Sequence, residues 1–472
     1  MTDNTTSTLP GPRGHFILGS LIDFRRDLIG TVLRAQRRYG DVVRFLLGPK
    51  EFVVFSHPHL AERVFIDERE NFVKLYQKDP NQFLALIFGK GVFTASGREW
   101  QAQRQMMQPV FQRSQIVAMA PFMINAGRRL VQRWEQKAAA GEPIEIVEEM
   151  SRLTMDVIVT TMFSADVLDR SAELARDVAV CVRYVGNSLF NPLQLPLWFP
   201  SPGNVGFKRA LGRLNALIYQ LIDEHRQNIG THGDLLDRLL QARYPETGEP
   251  MPTTLIRDQV AGIFGAGHET SSCALTWTWY LLNKHPDAMR RLQAELDSVL
   301  RGREPSVDDL PNLPYTRMVL EETMRLYPPV PHLPRIPTRD IEANGFRVRA
   351  GSVVLVSLYN IHRHPEFWDG PDSFRPERFD PAANHTRHRC AYLPFGVGPH
   401  VCLGSHFAMM EAQLLLAQMA QRFDVCLLPG QSAATEVVIT LRPKHALYAA
   451  LTSRPVLVNQ ETAKESERAA VP

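Results

Sequence analysis

The residue with the most evident chemistry is Cys402, in the stretch Tyr392-Leu-Pro-Phe-Gly-Val-Gly-Pro-His-Val-Cys-Leu-Gly404. Phe395, Gly398, Cys402 and Gly404 form a compact loop. Leu403, Phe407, Met410 and Leu414 then recur at the three- and four-residue spacing of a helix that buries one face. Cys402 therefore stands just before a helix N-terminus, where backbone N–H groups and the helix dipole favour a thiolate. The flanking glycines let backbone approach the sulfur closely, as a soft anionic metal ligand requires. One cysteine fills one coordination position, so the other ligands belong to a cofactor or to residues distant in sequence. A thiolate as the axial ligand of a haem fits this arrangement; taken alone, the residue reads equally as a buried structural cysteine in a turn.

A second constellation interrupts a long apolar pattern from Thr253 to Asn283, bounded by Pro252 and Pro286. As a helix this segment spans roughly 46 Å at 1.5 Å per residue, enough to cross a domain. Ile256, Val260, Ile263, Gly267, Thr270, Ala274, Trp277 and Leu281 keep a helical period through it. Ala266-Gly-His-Glu-Thr270 nevertheless places small and polar groups at its centre. A glycine inside a helix costs about 1 kcal/mol relative to alanine and needs a reason. Room for dioxygen over a flat cofactor, with a hydroxyl and a carboxylate to relay protons, is one; a close helix crossing is the other. Two further pairs carry charge. Trp100 and Arg104 share a helix face and would bind carboxylates through an indole N–H and a guanidinium, or simply stack at a surface. Glu322 and Arg325, three apart, can pair on one face.

The loop resembles the haem-binding signature of the cytochrome P-450 family: aromatic, two residues, glycine, three residues, cysteine, one residue, glycine. His400 stands where arginine is common, as in soluble bacterial members. Ala266 to Thr270 is similar to the family's oxygen-activation motif, Trp100 and Arg104 to its propionate-binding pair, and Glu322 and Arg325, with Arg378, to a structural network beneath the haem. The resemblance implies a fold that is mainly α with small β-sheets, a triangular, prism-like single catalytic domain over 10–458, between a disordered segment 1–9 and a disordered tail 459–472. It implies haem b with Cys402 as metal ligand, bordered by Phe395 and Gly267, its propionates held by Trp100, Arg104, Arg335 and His400. Thr270 and Glu269 become the catalytic proton carriers, and Ile263, Ala266, Val330 and Leu333 border the substrate.

The implied reaction activates molecular oxygen and hydroxylates a hydrophobic small molecule such as a fatty acid, terpene or other natural product. Electrons would come from a ferredoxin and an NAD(P)H-dependent ferredoxin reductase. The long-form motifs look nearer the fatty-acid branch of the family, which points to elongated hydrophobes. A haem-binding sensor or electron carrier would share Cys402 without needing Glu269-Thr270, and an isomerising or dehydrating variant would act without NAD(P)H.

Composition agrees with an enzyme rather than a nucleic-acid binder. The 472 residues are 44% hydrophobic and 22% charged, with a formal net charge of only +3 and no basic block. Five cysteines, an odd number without a CxxC pair, argue against a disulfide framework and a zinc ribbon. That cysteine usage predicts a reducing cytoplasm, and the absence of a signal-type or 18-residue apolar run predicts no transmembrane anchor; a monomer is expected.

Helices must position these groups. Periodicity predicts them over Phe24 to Tyr39, Pro58 to Phe65, from Gly97 onward, Ile116 to Ala139, Val147 to Met162, Ser171 to Leu189, Ala210 to Gln227, Gly233 to Gln241 and Leu310 to Tyr327. Val42 to Leu47 and Glu51 to Phe55 read as a hairpin around Gly48-Pro49, Ile341 to Leu358 as a small antiparallel sheet, and Phe423 to Leu428 and Val437 to Arg442 as late strands. Phe72 to Phe93 has no steady period and reads equally as a flexible wall over a ligand or as an ordinary packed loop with a short helix. Phe190 to Pro202, with Trp198 and Phe199, reads as a lid or packed connection more than as a membrane contact. His362 and His364 read as packing residues, since no third ligand accompanies them.

Overall fold

The computed structural model describes residues 8–75, 83–163, 171–189, 195–231, 233–244, 246–383 and 387–455. In chain order the helices are α1 (Leu21–Tyr39), α2 (Pro58–Glu62), α3 (Phe83–Phe88), α4 (Gly97–Met107), α5 (Arg113–Ala118), α6 (Ala120–Ala140), α7 (Ile146–Phe163), α8 (Ser171–Leu189), α9 (Pro202–Gln227) and α10 (Leu235–Gln241). There follow α11 (Thr253–Lys284), α12 (Pro286–Leu300), α13 (Pro314–Leu326), α14 (Leu358–Ile361) and α15 (Ser405–Arg422). The strands are β1 (Val42–Leu47), β2 (Lys50–Phe55), β3 (Phe72–Lys74), β4 (Ile144–Glu145), β5 (His332–Pro337), β6 (Ile341–Ala343), β7 (Phe346–Val348), β8 (Val353–Ser357), β9 (Phe423–Leu427), β10 (Thr435–Val437), β11 (Leu441–Pro443) and β12 (Tyr448–Ser453). The predicted mainly helical class with small sheets is what forms. The disordered ends expected at 1–9 and 459–472 fall almost wholly outside the described residues, as does 190–194 of the expected lid; Trp198 and Phe199 of that connection are exposed.

The helical body packs around α11, whose neighbours include α7, α9, α13 and α15. Trp134, Trp279, Met123 and Leu415 are fully buried within it. A five-stranded sheet, ordered β1-β2-β8-β5-β3, covers a second core that holds Val53, Val354, Ile361, Cys390 and Leu393. The β1–β2 hairpin forms as its sequence predicts, with Leu47 opposite Lys50 and Gly48 at φ +58°. Asn344 and Gly345, both at positive φ, turn the β6–β7 hairpin. β8 leaves that hairpin, however, and pairs in parallel with β2 and antiparallel with β5. The single small sheet expected over Ile341 to Leu358 is therefore two sheets, because pairing across 300 residues leaves no local mark.

Other departures have local causes. The helix expected from Ile116 breaks at Met119, since Pro121 in the first turn of α6 lacks an N–H and cannot continue α5. α9 begins eight residues earlier than expected, at Pro202, where Ser201 accepts a hydrogen bond from the Asn204 N–H and proline occupies the first turn. Pro286 ends α11 and starts α12, a helix the sequence reading passed over. Pro311 and Pro314 shorten α13 behind a 3₁₀ turn, Val307–Asn312. The late strand Val437 to Arg442 is a hairpin, β10 and β11, with Val437 opposite Leu441.

A buried ion pair ties this body to the cysteine loop. Glu322 and Arg325 are both fully buried; Arg325 Nε donates to Glu322 Oε2 at 2.6 Å and Nη2 to Oε1 at 2.8 Å. Arg325 also donates to the carbonyls of His362, Pro371 and Ser373, and Arg378 Nε lies 3.3 Å from Glu322 Oε1. Every charge thus has several partners, which a buried pair requires. Glu322→Ala strands Arg325 without its counter-ion, and we expect a loss of about 3–5 kcal/mol in denaturant unfolding.

Candidate active site

His362 transmits the ion pair's position to the loop. Its carbonyl accepts from Arg325 at 2.9 Å, while its Nε2 accepts the Leu393 N–H at 2.8 Å. Burial, with Arg325 and Arg363 nearby, pushes its imidazole down to about 3 and keeps it a neutral acceptor. Tyr392 hydroxyl donates to Glu321 O at 2.9 Å, fixing the loop's other side to α13. His364 is likewise a structural partner, its Nε2 3.2 Å from Asp41 Oδ1. Within the loop the Cys402 N–H donates to Phe395 O at 2.9 Å. Gly398 takes φ +75°, and a Cβ there would sit 2.4 Å from Phe65 O, so only glycine fits against the π turn Arg63–Asp67.

Cys402 is exposed as a residue, although protein surrounds its thiol on most sides. α15 starts at Ser405, as expected, yet the net effect on the thiol is opposite to the one expected from the helix terminus. Burial raises its pKa, and the Gly404 N–H and the Arg104 charge only partly oppose that. The desolvation of an anion outweighs one N–H and one partly buried guanidinium; a metal at the sulfur would reverse the balance.

Beside the loop, donors gather. The Trp100 and His400 rings are 3.9 Å apart, and Arg104 Cζ lies 5.6 Å from the indole. Arg104 Nη1 donates to Val401 O at 2.9 Å, and Arg335 Nη1 to Pro334 O at 2.8 Å. The sequence reading missed Lys74. It stands directly opposite Arg335 where β3 pairs with β5, and donates to the carbonyls of Val92, Phe93 and Ala95 at 3.3, 3.2 and 2.9 Å. Like charges facing across strands are destabilising. Burial first, then Arg335 and Arg104, bring the Lys74 ammonium down to about 7. Burial and these three cations hold the His400 imidazole near about 3. A cradle of cations that depresses its own members fits the carboxylate edge of a haem, whose charge would relieve the repulsion.

On α11 the adjacent side chains Glu269 and Thr270 diverge. Thr270 Oγ1 donates to Ala266 O at 2.6 Å, whereas Glu269 Oε1 accepts from Thr440 Oγ1 at 2.7 Å and lies 3.9 Å from Arg442. Burial raises the Glu269 pKa against those partners. The expected relay pair is therefore not joined by a direct hydrogen bond, because the β10–β11 turn draws the carboxylate away. Gly267 is explained by the helix crossing: a Cβ there would meet Ile158 Cδ1 of α7 at 2.5 Å. Ile263, Ala266 and Thr270 fall on one face by their spacing, and Leu333 packs over Gly396 of the loop. Val330 is half-buried just before β5.

Buried polar groups also register the elements. Gln259 Oε1 accepts the Val92 N–H at 3.0 Å while its Nε2 donates to Gln103 Oε1 at 2.8 Å, locking α11 to α4 and to the 89–95 loop. Glu411 of α15 is fully buried and accepts from Ser271 Oγ of α11 at 2.7 Å. Desolvation pushes its carboxyl up to about 8, with Ser271 pulling the other way.

The cytochrome P450 family model matches residues 9–447. The chain belongs to the cytochrome P450 family. A cyclooctat-9-en-7-ol 5-monooxygenase of Streptomyces melanosporofaciens is 34% identical over 433 residues, covering 90% of this chain and 91% of that protein. A pentalenene oxygenase of Streptomyces avermitilis is 31% identical, covering 88% and 91%. The crystal structure of the cytochrome P450DA heme domain superposes with a TM-score of 0.87 at 25% identity, over 95% of this chain and 98% of that one. This P450 is accordingly a monooxygenase, an oxidoreductase of a family built on a haem-thiolate cofactor. Among the described residues no helix is long and apolar enough to cross a membrane.

Two measurements follow from the P450 geometry. Lys74→Gln removes the cation facing Arg335; haem loss should quicken by about tenfold, while the haem-free protein unfolds no more easily. For Glu411 the folded pKa of about 8 lies above the ordinary 4.5. The proton it holds stabilises the fold fully below pH 4.5, and that contribution drains away as pH rises through 8. Wild-type unfolding free energy should therefore fall by a few kcal/mol relative to Glu411→Gln between pH 5 and 8, then run parallel.

Proposed function

We propose that this P450 hydroxylates an uncharged terpenoid, and that Cys402 would supply the thiolate that holds a haem b. The observation that carries the cofactor assignment is the convergence of the Cys402 sulfur with Lys74, Trp100, Arg104, Arg335 and His400, an anionic ligand beside a cationic cradle. When bound, the haem supplies the activation of oxygen. Cys402 would ligate it through its sulfur, and Lys74, Trp100, Arg104, Arg335 and His400 would hold its carboxylates. Thr270 Oγ1 holds a proton on the α11 face shared with Ile263 and Ala266, while Glu269, the adjacent buried acid, keeps its carboxyl on Thr440. Phe395, Val330 and Leu333 complete the walls around cofactor and substrate, while Gly267 serves the contact of α11 with α7.

The two Streptomyces relatives, a cyclooctat-9-en-7-ol 5-monooxygenase and a pentalenene oxygenase, favour a terpenoid substrate over the fatty acids expected from the motif style. Electrons come from a ferredoxin and its NAD(P)H-dependent reductase, as the family resemblance implies. The enzyme works as a cytoplasmic monomer.

The deciding experiment is the absorption spectrum of the reduced protein under carbon monoxide, followed by titration with terpenes and fatty acids. A strongly red-shifted Soret band that disappears in Cys402→His, together with a low- to high-spin shift on terpenes, is the expected result. A histidine-type band in the wild type overturns the ligand assignment. A spin shift confined to fatty acids overturns the substrate class.

A further inference from the structure

α6 and α7, joined through β4, pack on each other. Arg129, Arg133 and Lys137 recur at every fourth residue of α6, and Glu149, Arg152 and Asp156 at three- and four-residue spacing on α7, so each set forms one stripe. The stripes meet: Lys137 Nζ donates to Glu149 Oε1 at 3.2 Å, and Arg133 Nη2 lies 3.5 Å from Glu149 Oε2. Ser151 and Thr154, on the opposite side of α7, bond His268 of α11, so the charged stripe is turned away from α11.

Charge does not balance at this seam. Arg129, Arg133, Arg152 and Lys137 stand beside two carboxylates, Glu149 and Asp156. Glu149 is already shared, since it also accepts from Trp134 Nε1 at 3.1 Å. Burial first, then the Arg152 charge, lower the Arg133 pKa, and the two carboxylates oppose this without cancelling it.

The hydrogen bonds show the same deficit. Nε and Nη2 of Arg129, Nε and Nη2 of Arg133 and Nε of Arg152 are five buried donor atoms that meet no acceptor. Elsewhere buried guanidiniums are matched, as Arg325 is by Glu322 and three carbonyls. Missing acceptors on three neighbouring cations call for one anionic group with several oxygens. A carboxylate offers two oxygens in a plane. A phosphoryl group offers three or more in a tetrahedral spread and carries a charge of about −2 at neutral pH, which matches the two uncompensated cations. All three arginines are half-buried, so solvent reaches their outer edges.

We propose that Arg129, Arg133 and Arg152 form a binding site for a phosphoryl group, that of inorganic phosphate or of a phosphate monoester, on the outer seam of α6 and α7. The guanidinium forks hold its oxygens, and the Glu149 carboxylate limits its affinity by like charge.

The test titrates the haem-loaded enzyme with inorganic phosphate and with glycerol 3-phosphate at constant ionic strength, using chloride and acetate as controls. Binding is read by calorimetry and by the rise in unfolding midpoint. Saturable binding of a phosphoryl ligand, and none of the controls, is expected; the tighter of the two probes identifies the source. Arg129→Gln and Arg133→Gln should each weaken it by about tenfold, and Arg133→Lys, which keeps the charge without the fork, by less. Glu149→Gln keeps an acceptor for Trp134 and removes a negative charge, so it should tighten binding, a change that a merely structural role would not produce. Absence of saturable binding in the wild type overturns the site. So does binding that both arginine-to-glutamine variants leave unaltered, or that Glu149→Gln weakens. Should those two arginine variants fail to fold with haem, Arg133→Lys and Glu149→Gln decide by the same signs.

Discussion

The buried Glu322–Arg325 pair is the constraint on which the site depends. A guanidinium with no exposure must place its N–H groups on fixed acceptors, and Arg325 does so on Glu322 and on three backbone carbonyls from the 362–373 segment. That segment has no regular structure of its own at the contact. It is held because moving it would leave a charge unsatisfied in the interior. His362 passes the constraint on through the Leu393 N–H, so the cysteine loop inherits its position from an ion pair that never touches the sulfur.

The distal side is organised differently, by one helix with several faces. α11 gives Thr270 to one face, Glu269 to the β10–β11 turn, Gly267 to α7 and Gly265 to Phe88. Its interruption by small and polar residues is thus a set of separate close approaches rather than a single opening. Gln259 and Ser271 fix its rotation through Gln103 and Glu411, so these faces stay in register with α4 and α15. Buried polar groups serve here as alignment pins, since a rotated helix would leave them unpaired.

Stability and cofactor binding oppose each other at the cradle. Lys74 opposite Arg335, with Arg104 and His400 close by, makes the protein alone less comfortable than a neutral set would. The raised pKa of Cys402 has the same origin: a group destined for an ionic partner sits in a desolvated place. Both tensions would be relieved by one ligand carrying a metal and two carboxylates, which would put fold and cofactor into one free-energy balance.

The sequence by itself determined the class of fold, the course of most helices, the cysteine loop before α15, and the Glu322–Arg325 pair. These are legible because helical period, proline and glycine punctuation and short motifs are local. Tertiary structure decided what depends on distant partners. β8 lies beside β2, Lys74 faces Arg335, Glu269 turns to Thr440 and away from Thr270, and the net pKa of Cys402 rises. It also decided that Gly267 answers to Ile158, and that Phe88 covers Gly265. In each case the deciding term is pairing, desolvation or steric contact between segments far apart in the chain, and no local pattern records which segments will meet.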